Sequence, residues 1–383
     1  MTDFTDPFRE KRRSDGVLVC PFQGEQIPMI LRYRDVRLAA KDWRTFSSDA
    51  PFRIPIPSEE QWRSVRQIPF ETDPPDHTEY RQIIEPFFRR PTQPDVMERI
   101  GKLVRAQVQD ALARASVEIV REFSLPLQSR ALAILFNVPD AEAEVWIGWG
   151  TSVFLDGDGV QKGRELEAYI NRQFDRAEAQ PGDDFFSVLA QATFRGRKLT
   201  RPELVGYANL TFSGGRETII QTVNTVIAYL AEHPETLDFL RADPARLVTA
   251  VEEFVRIVSP LTHMGRVCKH AATVQGVPVA PDGRVSLGWA SANRDETVFA
   301  DPDRVHLDRA PNPHVGFGSG THNCMGAPHA RLLLRTLLQV LCAQVDRLEI
   351  VEAVPHVERT EAYERTVGYE RLLVRLRGKN GLA

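Results

Sequence analysis

The stretch Phe317-Gly318-Ser319-Gly320-Thr321-His322-Asn323-Cys324-Met325-Gly326 decides the reading of this sequence, together with Ala327-Pro328-His329-Ala330-Arg331-Leu332-Leu333-Leu334-Arg335 after it. The second part has a helical pattern, and proline is tolerated in the first turn of a helix. Cys324 is therefore expected at a helix N-terminus. Unpaired backbone N–H groups and the positive end of the helix dipole lower a thiol's pKa there and favour the thiolate, the form in which cysteine ligates iron. The glycines let the backbone fold tightly around the sulfur and approach a flat cofactor closely. Phe317 is placed to cover the sulfur from water. A lone cysteine more often packs as a small hydrophobe; the ten-residue setting is what argues for a ligand.

Those ten residues resemble the haem-binding signature of the cytochrome P-450 family, F-x-x-G-x-x-x-C-x-G, with every fixed position filled. The resemblance implies Cys324 as the axial ligand of the iron of haem b, within a loop bounded by Phe317 and Gly326. It also implies a mainly α fold with minor β, in which a long central I helix and the Cys-loop/L helix enclose the haem. Residues 1–383 are expected to form a single haem domain with no fused reductase.

Upstream, Glu253-Phe254-Val255-Arg256 matches the family's E-x-x-R. The plain reading of that spacing is an ion pair within one helical turn. The family adds a second arginine, and Arg294 and Arg309 are both candidates. Asp73-Pro74-Pro75-Asp76-His77-Thr78-Glu79-Tyr80-Arg81 resembles the entry to the family's C helix, with His77 and Arg81 four apart on one helical face. The resemblance gives His77, Arg81, Arg266 and His322 to the haem propionates, where charge-assisted contacts suit Arg and His.

The segment from Pro202 to Glu232 is expected to be one helix of roughly 45 Å. It contains Leu210-Thr211-Phe212-Ser213-Gly214-Gly215-Arg216-Glu217-Thr218. Two adjacent glycines cost a helix about 1 kcal/mol each relative to alanine, which calls for a local reason. The nine residues resemble the I-helix motif (A/G)-G-x-(D/E)-T. There Gly214 leaves a notch for O2, Thr218 hydrogen-bonds the oxygen being activated, and Glu217 links the site to solvent protons. Two departures stand out. Arg216 fills the variable position and must reach solvent or a carboxylate, and His329 replaces the leucine usual after the cysteine loop, altering partner docking or the polarity at the haem edge.

Helical periodicity also marks Met97 to Arg114, Asp140 to Leu155 and Gln161 to Ala179. Gly16 to Cys20 and Ile27 to Leu31 read as a strand pair, and Ala272 to Leu287 as a second small sheet about a Pro281-Asp282-Gly283 turn. The proline-rich run between Phe46 and Asp73 reads as a functional lid or mobile link. No repeat, linker or composition break divides the 383 residues. A formal charge of −4 offers no concentrated basic face for nucleic acid or anionic lipid. With no signal peptide or apolar span and only four cysteines, a cytoplasmic, monomeric protein off the membrane is expected.

Thiolate donation favours O–O cleavage and protons must reach the distal oxygen, so Cys324 together with Glu217 and Thr218 argues for monooxygenation of a small apolar molecule. The alternatives are a peroxide-driven peroxygenase and a haem sensor without turnover. No flavin-, nicotinamide- or iron–sulfur-binding segment is evident. The resemblance implies electrons from NAD(P)H through a ferredoxin reductase and ferredoxin, with Arg89, Arg90, Arg331 and Arg335 as a docking patch. By the same resemblance the substrate pocket is lined by the Pro51 to Phe70 loop, Leu210, Ser213, Leu261, Thr262, His263, Met264 and Val367. Thr262 and His263 are the candidates to anchor a polar group.

Overall fold

The computed structural model describes residues 4–151 and 159–379. Helices form over Pro94–Leu112 and Gly159–Ala179, where the apolar spacing places them. The segment from Asp140 yields the helix Ala141–Gly148; residues 152–155 of that expectation lie outside the described residues. The class is mainly α with minor β. No helix among the described residues is long and apolar enough to cross a membrane.

Two apolar cores organise the helices. The first is largely aliphatic: Val96, Ile100, Val104 and Val108 of Pro94–Leu112 join Leu333, Leu337 and Leu341 of Ala327–Gln344 and Ile220, Val223 and Ile227 of Glu217–Glu232. The second is rich in aromatics, with Phe136, Trp146, Phe174, Phe185, Tyr207 and Phe212. Ring pairs inside it, such as Phe136 with Phe185 (centroids 4.2 Å apart) and Trp146 with Phe212 (5.1 Å), each contribute about 0.5–1.5 kcal/mol beyond burial.

The expected single helix from Pro202 to Glu232 is two helices, Arg201–Gly214 and Glu217–Glu232. The first starts from a capping box, in which Thr200 and Glu203 satisfy each other's backbone N–H groups. The break follows the glycine pair, and the groups it frees find partners. Gln128 Nε2 donates to the Gly215 carbonyl at 2.5 Å, while Arg216 turns inward. The break also falls where the two cores meet, since Arg201–Gly214 contributes to the aromatic core and Glu217–Glu232 to the aliphatic one.

The main sheet has five strands in the order Val17–Phe22, Glu25–Ile30, Arg284–Leu287, Met264–Cys268, Phe46–Ser47. The first two are the expected strand pair. The expected small sheet over Ala272 to Leu287 is divided. Ala272–Val274 and Val277–Val279 pair across Gln275-Gly276, whose φ angles of 47° and 85° have the signs a type I′ turn requires. Arg284–Leu287 instead joins the main sheet, parallel to Glu25–Ile30 and antiparallel to Met264–Cys268. The Pro281-Asp282-Gly283 turn therefore connects two sheets. A second sheet pairs Val345–Arg359 with Glu364–Gly378 and Val117–Glu118.

Glu253 and Arg256 on the helix Arg246–Val258 form the buried pair, with Arg256 Nη2 to Glu253 Oε1 at 2.8 Å. Arg309 completes it, donating from Nε to Glu253 Oε2 at 3.0 Å. Arg294 goes elsewhere, to Asp303 and the Ile257 carbonyl. Arg256 also donates to the carbonyls of Asn293, Pro302 and Arg304, and Asn293 Oδ1 accepts from Val315 N–H at 2.7 Å. These bonds tie the 293–315 segment to a helix of the aliphatic core, fixing the entry to the cysteine loop. Losing one partner of such a buried network costs about 3–5 kcal/mol, because a charge is left without compensation.

The proline-rich run between Phe46 and Asp73 is irregular and tied down, unlike a mobile link. Buried Arg63 bonds Glu59 and Glu71, each at 2.6 Å, and Glu71 also accepts the N–H groups of Phe52 and Gln67. It forms a wall of the molecule against the helix Arg201–Gly214, where Ile68 N–H meets the Gly206 carbonyl.

Candidate active site

The cysteine loop is shaped by its own backbone. Cys324 N–H donates to the Phe317 carbonyl at 2.8 Å and Gly318 N–H to that of Val315 at 2.9 Å. Gly320 has φ of +72°, and a Cβ there would lie 2.4 Å from the Ala40 carbonyl oxygen, so only glycine fits. The helix Ala327–Gln344 follows with Pro328 in its first turn. Of the four cysteines, Cys324 alone is exposed.

Although the residue is exposed, burial among surrounding atoms pushes the Cys324 thiol up from its ordinary value. The amides of Gly326 and Ala327, then Arg81 and Arg331, pull the other way. The helix-terminal donors thus act as expected, but the net direction is upward. The loop alone does not supply the lowered pKa; a metal cation held here would favour the deprotonated sulfur.

His77, Arg81, Arg266 and His322 come together beside this loop. The rings of His77 and His322 meet edge to face with centroids 4.2 Å apart, and Arg81 Nη1 donates to the carbonyls of Thr321 and Asn323 at 3.3 and 2.8 Å. Arg266 is 3 % exposed, and its Nη1 donates to the carbonyl of its neighbour Gly265. Burial lowers Arg266 to about 10, with Asp73 opposing only in part. Asp73 is itself engaged by Ser47, the Ser48 N–H and Lys269. Burial lowers His77 to about 4, with Arg81 adding to the shift, and holds His322 well below its ordinary value, assisted by Arg266.

Nδ1 of His77 and Nε2 of His322 are buried without hydrogen-bond partners. Buried, unpartnered ring nitrogens around a guanidinium that Asp73 offsets only in part are costly unless an anion satisfies them. A dianionic group lying against the exposed sulfur fits this arrangement, and haem has that shape and charge. Arg266→Ala is accordingly expected to weaken haem retention by about 10- to 100-fold, the loss of one charge-assisted interaction of about 1.5–3 kcal/mol. The check is the rate of haem transfer to an apo-globin acceptor. An unchanged rate removes Arg266 from the site.

On the helix Glu217–Glu232, Thr218 Oγ1 donates back to the Gly214 carbonyl at 3.2 Å, and Thr222 Oγ1 to that of Thr218 at 2.7 Å. Glu217 opens the helix Glu217–Glu232, where a carboxylate suits the positive helix end. Gly214 is exposed, and a Cβ added there would meet nothing within 4 Å. Arg216, 1 % exposed, does not reach bulk solvent. Its Nη2 donates to the carbonyls of Trp146 and Gly150 at 2.7 and 2.6 Å, and its guanidinium lies 5.8 Å from the centre of the Trp149 ring.

The expected pocket lining divides. Leu210 and Ser213 are half-buried on the helix that ends at Gly214. Met264 packs with Ile54, Val267 and Phe70, and the Phe70 ring stands 6.4 Å from that of His322. Leu261 is 40 % exposed. Thr262 and His263 were expected to anchor a substrate, but their polar atoms are already used: Thr262 Oγ1 bonds Glu358 and Arg365, and His263 Nδ1 bonds Ser286 at 2.8 Å. Val367 lines a cleft with Phe4, Thr225, Ile257, Val258 and Arg294.

Two surface expectations also change. Arg331 is ion-paired with Glu252 at 2.7 Å and lies over the Phe317 ring, with Glu252 also bonded to His314 Nε2 at 2.9 Å. It braces the phenyl group that precedes Cys324. His329 is 3 % exposed, so it cannot dock a partner, and neither ring nitrogen has a hydrogen-bond partner.

Burial lowers His329 to about 4, below its unfolded value. As pH falls from about 6.5 the unfolded chain takes up a proton that the folded one refuses, so stability is lost down to about pH 4. Between pH 7.5 and 5 the loss is about 2 kcal/mol. His329→Leu should therefore gain on wild type by about that amount when urea midpoints are compared at the two pH values. An equal gap at both would reject this account.

Comparison with known proteins bears on the same geometry. The family model for cytochrome P450 matches residues 165–344. Linalool 8-monooxygenase of Pseudomonas putida is 31 % identical over 365 residues, 90 % of this chain and 89 % of that one. Erythromycin C-12 hydroxylase of Saccharopolyspora erythraea is 30 % identical over 334 residues, covering 84 % and 82 %. A solved structure described as that of a carbohydrate-active P450 superposes with a TM-score of 0.96 at 47 % identity, over 98 % of both chains. The cysteine loop, the helix break at the glycine pair and these whole-length similarities have one reading: the chain belongs to the cytochrome P450 family of monooxygenases, which use haem iron and O2.

Proposed function

We propose that this P450 inserts one oxygen atom from O2 into a carbohydrate or a comparably hydroxylated small molecule, with electrons passed from NAD(P)H through a separate reductase and ferredoxin. The observation that carries the substrate class is the 47 % identity, over 98 % of both chains, to the carbohydrate-active P450, against 31 % to the linalool enzyme. The engagement of Thr262 and His263 within the protein moves the search for substrate-binding groups to the helix Arg201–Gly214 and the 46–73 wall.

Haem b, when bound, supplies the iron that binds and activates O2. Cys324 is its thiolate ligand in this reading, with Phe317, braced by Arg331, keeping water from the sulfur. His77, Arg81, Arg266 and His322 would hold the propionates. Gly326 and Gly214 would leave room for the haem. Thr218 would offer its hydroxyl to the oxygen being activated, and Glu217 would pass protons toward it from solvent.

The test is reconstitution with ferredoxin, ferredoxin reductase and NADPH against a carbohydrate panel, with products identified by mass. Parallel arms use hydrogen peroxide alone and no oxidant. Product only with the electron chain is expected. Product from peroxide alone at a higher rate marks a peroxygenase, and absence of turnover under every condition marks a haem sensor.

A further inference from the structure

Arg294 and Arg365 are buried guanidiniums that line the same cleft, beside Phe4, Thr225, Val258 and Val367. Arg365 has only neutral hydrogen-bond partners among the described residues: Nη1 donates to Thr262 Oγ1 at 2.9 Å and Nη2 to the Val258 carbonyl at 2.6 Å. Glu358 acts on it through space, with its own oxygens taken by Thr262 and Tyr363. Arg294 shares Asp303, a half-exposed acid, with Arg9, and otherwise reaches the Ile257 carbonyl. Asp6, an acid felt by both, is paired with Arg12 at 2.8 Å. Burial lowers Arg294 to about 9, with Arg256 and then Arg365 adding to the shift, and burial lowers Arg365 as well. Two guanidiniums that repel each other away from water are costly to a fold unless a counter-charge joins them.

We propose that this cleft binds a small monovalent inorganic anion such as chloride, held by Arg294 and Arg365 together. Size limits the ligand: the free interior is about 20 Å³, enough for one or two particles the size of water and too little for a phosphate ester or a sugar acid. Charge limits it to one unit, since Asp303 already offsets part of Arg294. The lining sets the kind of ion. The Phe4 ring centre lies 5.7 Å from the Arg294 guanidinium, and Val258 and Val367 add apolar surface. Such walls replace water poorly, so a weakly hydrated halide enters at lower cost than fluoride. The strand Glu364–Gly378 is also shaped here. Val367 has no partner in the ladder, between Thr366 opposite Val357 and Gly368 opposite His356, and a bulge of this kind re-aims a strand beside a site. The ion would join Phe4, the end of the helix Arg246–Val258 and that strand.

The experiment exchanges the haem-loaded protein into sodium gluconate and follows its thermal unfolding as chloride replaces gluconate at constant ionic strength, with bromide and fluoride in parallel. Chloride and bromide should raise the midpoint by about 1–3 °C and saturate by about 100 mM, as for an ion that binds only the folded chain, and fluoride should do less. Arg365→Gln should lose the saturable rise, and Arg365→Lys, which keeps the charge, should retain part of it. Crystals grown in bromide should give an anomalous peak within reach of both guanidiniums, a measurement that serves if Arg365→Gln fails to fold. A midpoint indifferent to chloride overturns the site, as does a rise of equal size in Arg365→Gln. A bromide peak without a saturable midpoint shift marks an adventitious ion only and also overturns it.

Discussion

Cys324→Ser is expected to abolish the red-shifted absorbance band of the reduced carbon-monoxide complex and to lower turnover by at least about a hundredfold, some 3 kcal/mol of barrier. The band reports thiolate donation to the iron, which a hydroxyl does not reproduce. The substitution preserves the loop, because the residue's backbone bond to Phe317 and the positive φ of Gly318 and Gly320 do not involve the sulfur. The other thiols cannot stand in for it. Cys268 and Cys342 are buried, Cys20 is half-buried, and burial pushes Cys20 and Cys268 up to about 11. Cys268→Ser is the control and should leave the band unchanged. A normal band in Cys324→Ser would falsify the ligand assignment.

Thr218→Ala is expected to keep haem binding, the substrate-induced spectral shift and electron uptake, yet to lower product formed per NADPH by about tenfold. The electrons not used in product should appear as hydrogen peroxide, since O2 with two electrons and two protons leaves in that form. The reason lies in where the hydroxyl stands. It bonds the Gly214 carbonyl at 3.2 Å, at the first turn after the helix break, next to Glu217 and to the open space at Gly214. A methyl group fills that position without handling a proton. The measurement is paired counting of product, NADPH and peroxide with a substrate found by titration. Coupling equal to wild type assigns proton delivery to another group.

The parts of the site that could be read from sequence are those encoded locally. Phe317 to Gly326 followed by Pro328 specifies a tight loop and a helix start within a dozen residues, and His77 with Arg81 needs only one helical turn. Glu253 with Arg256 is equally local, but choosing Arg309 over Arg294 required knowing that Arg294 is drawn to Asp303. Long-range partners were not legible. Gln67 meets Asn209 across 142 positions, and nothing near either residue announces the other. The glycine pair at 214–215 signalled strain but not its outcome, because the break depends on Gln128 and on carbonyls at Trp146 and Gly150. The upward shift of the Cys324 thiol was hidden for a related reason, since burial by distant segments outweighs the local amides.

The interruption between Gly214 and Glu217 has a bearing on how such an enzyme changes over generations. Residues 201–214 are packed into one core and 217–232 into another, with Arg216 anchored to the protein between them. Variation in the first stretch alters what is selected for oxidation, while the second keeps its register and the proton path it carries. A continuous rod would transmit each repacking along its length. Here a lineage can acquire new substrates by altering Leu210 or Ser213 without rebuilding the oxygen chemistry at Thr218, and directed evolution of this enzyme can treat the two stretches as separate libraries.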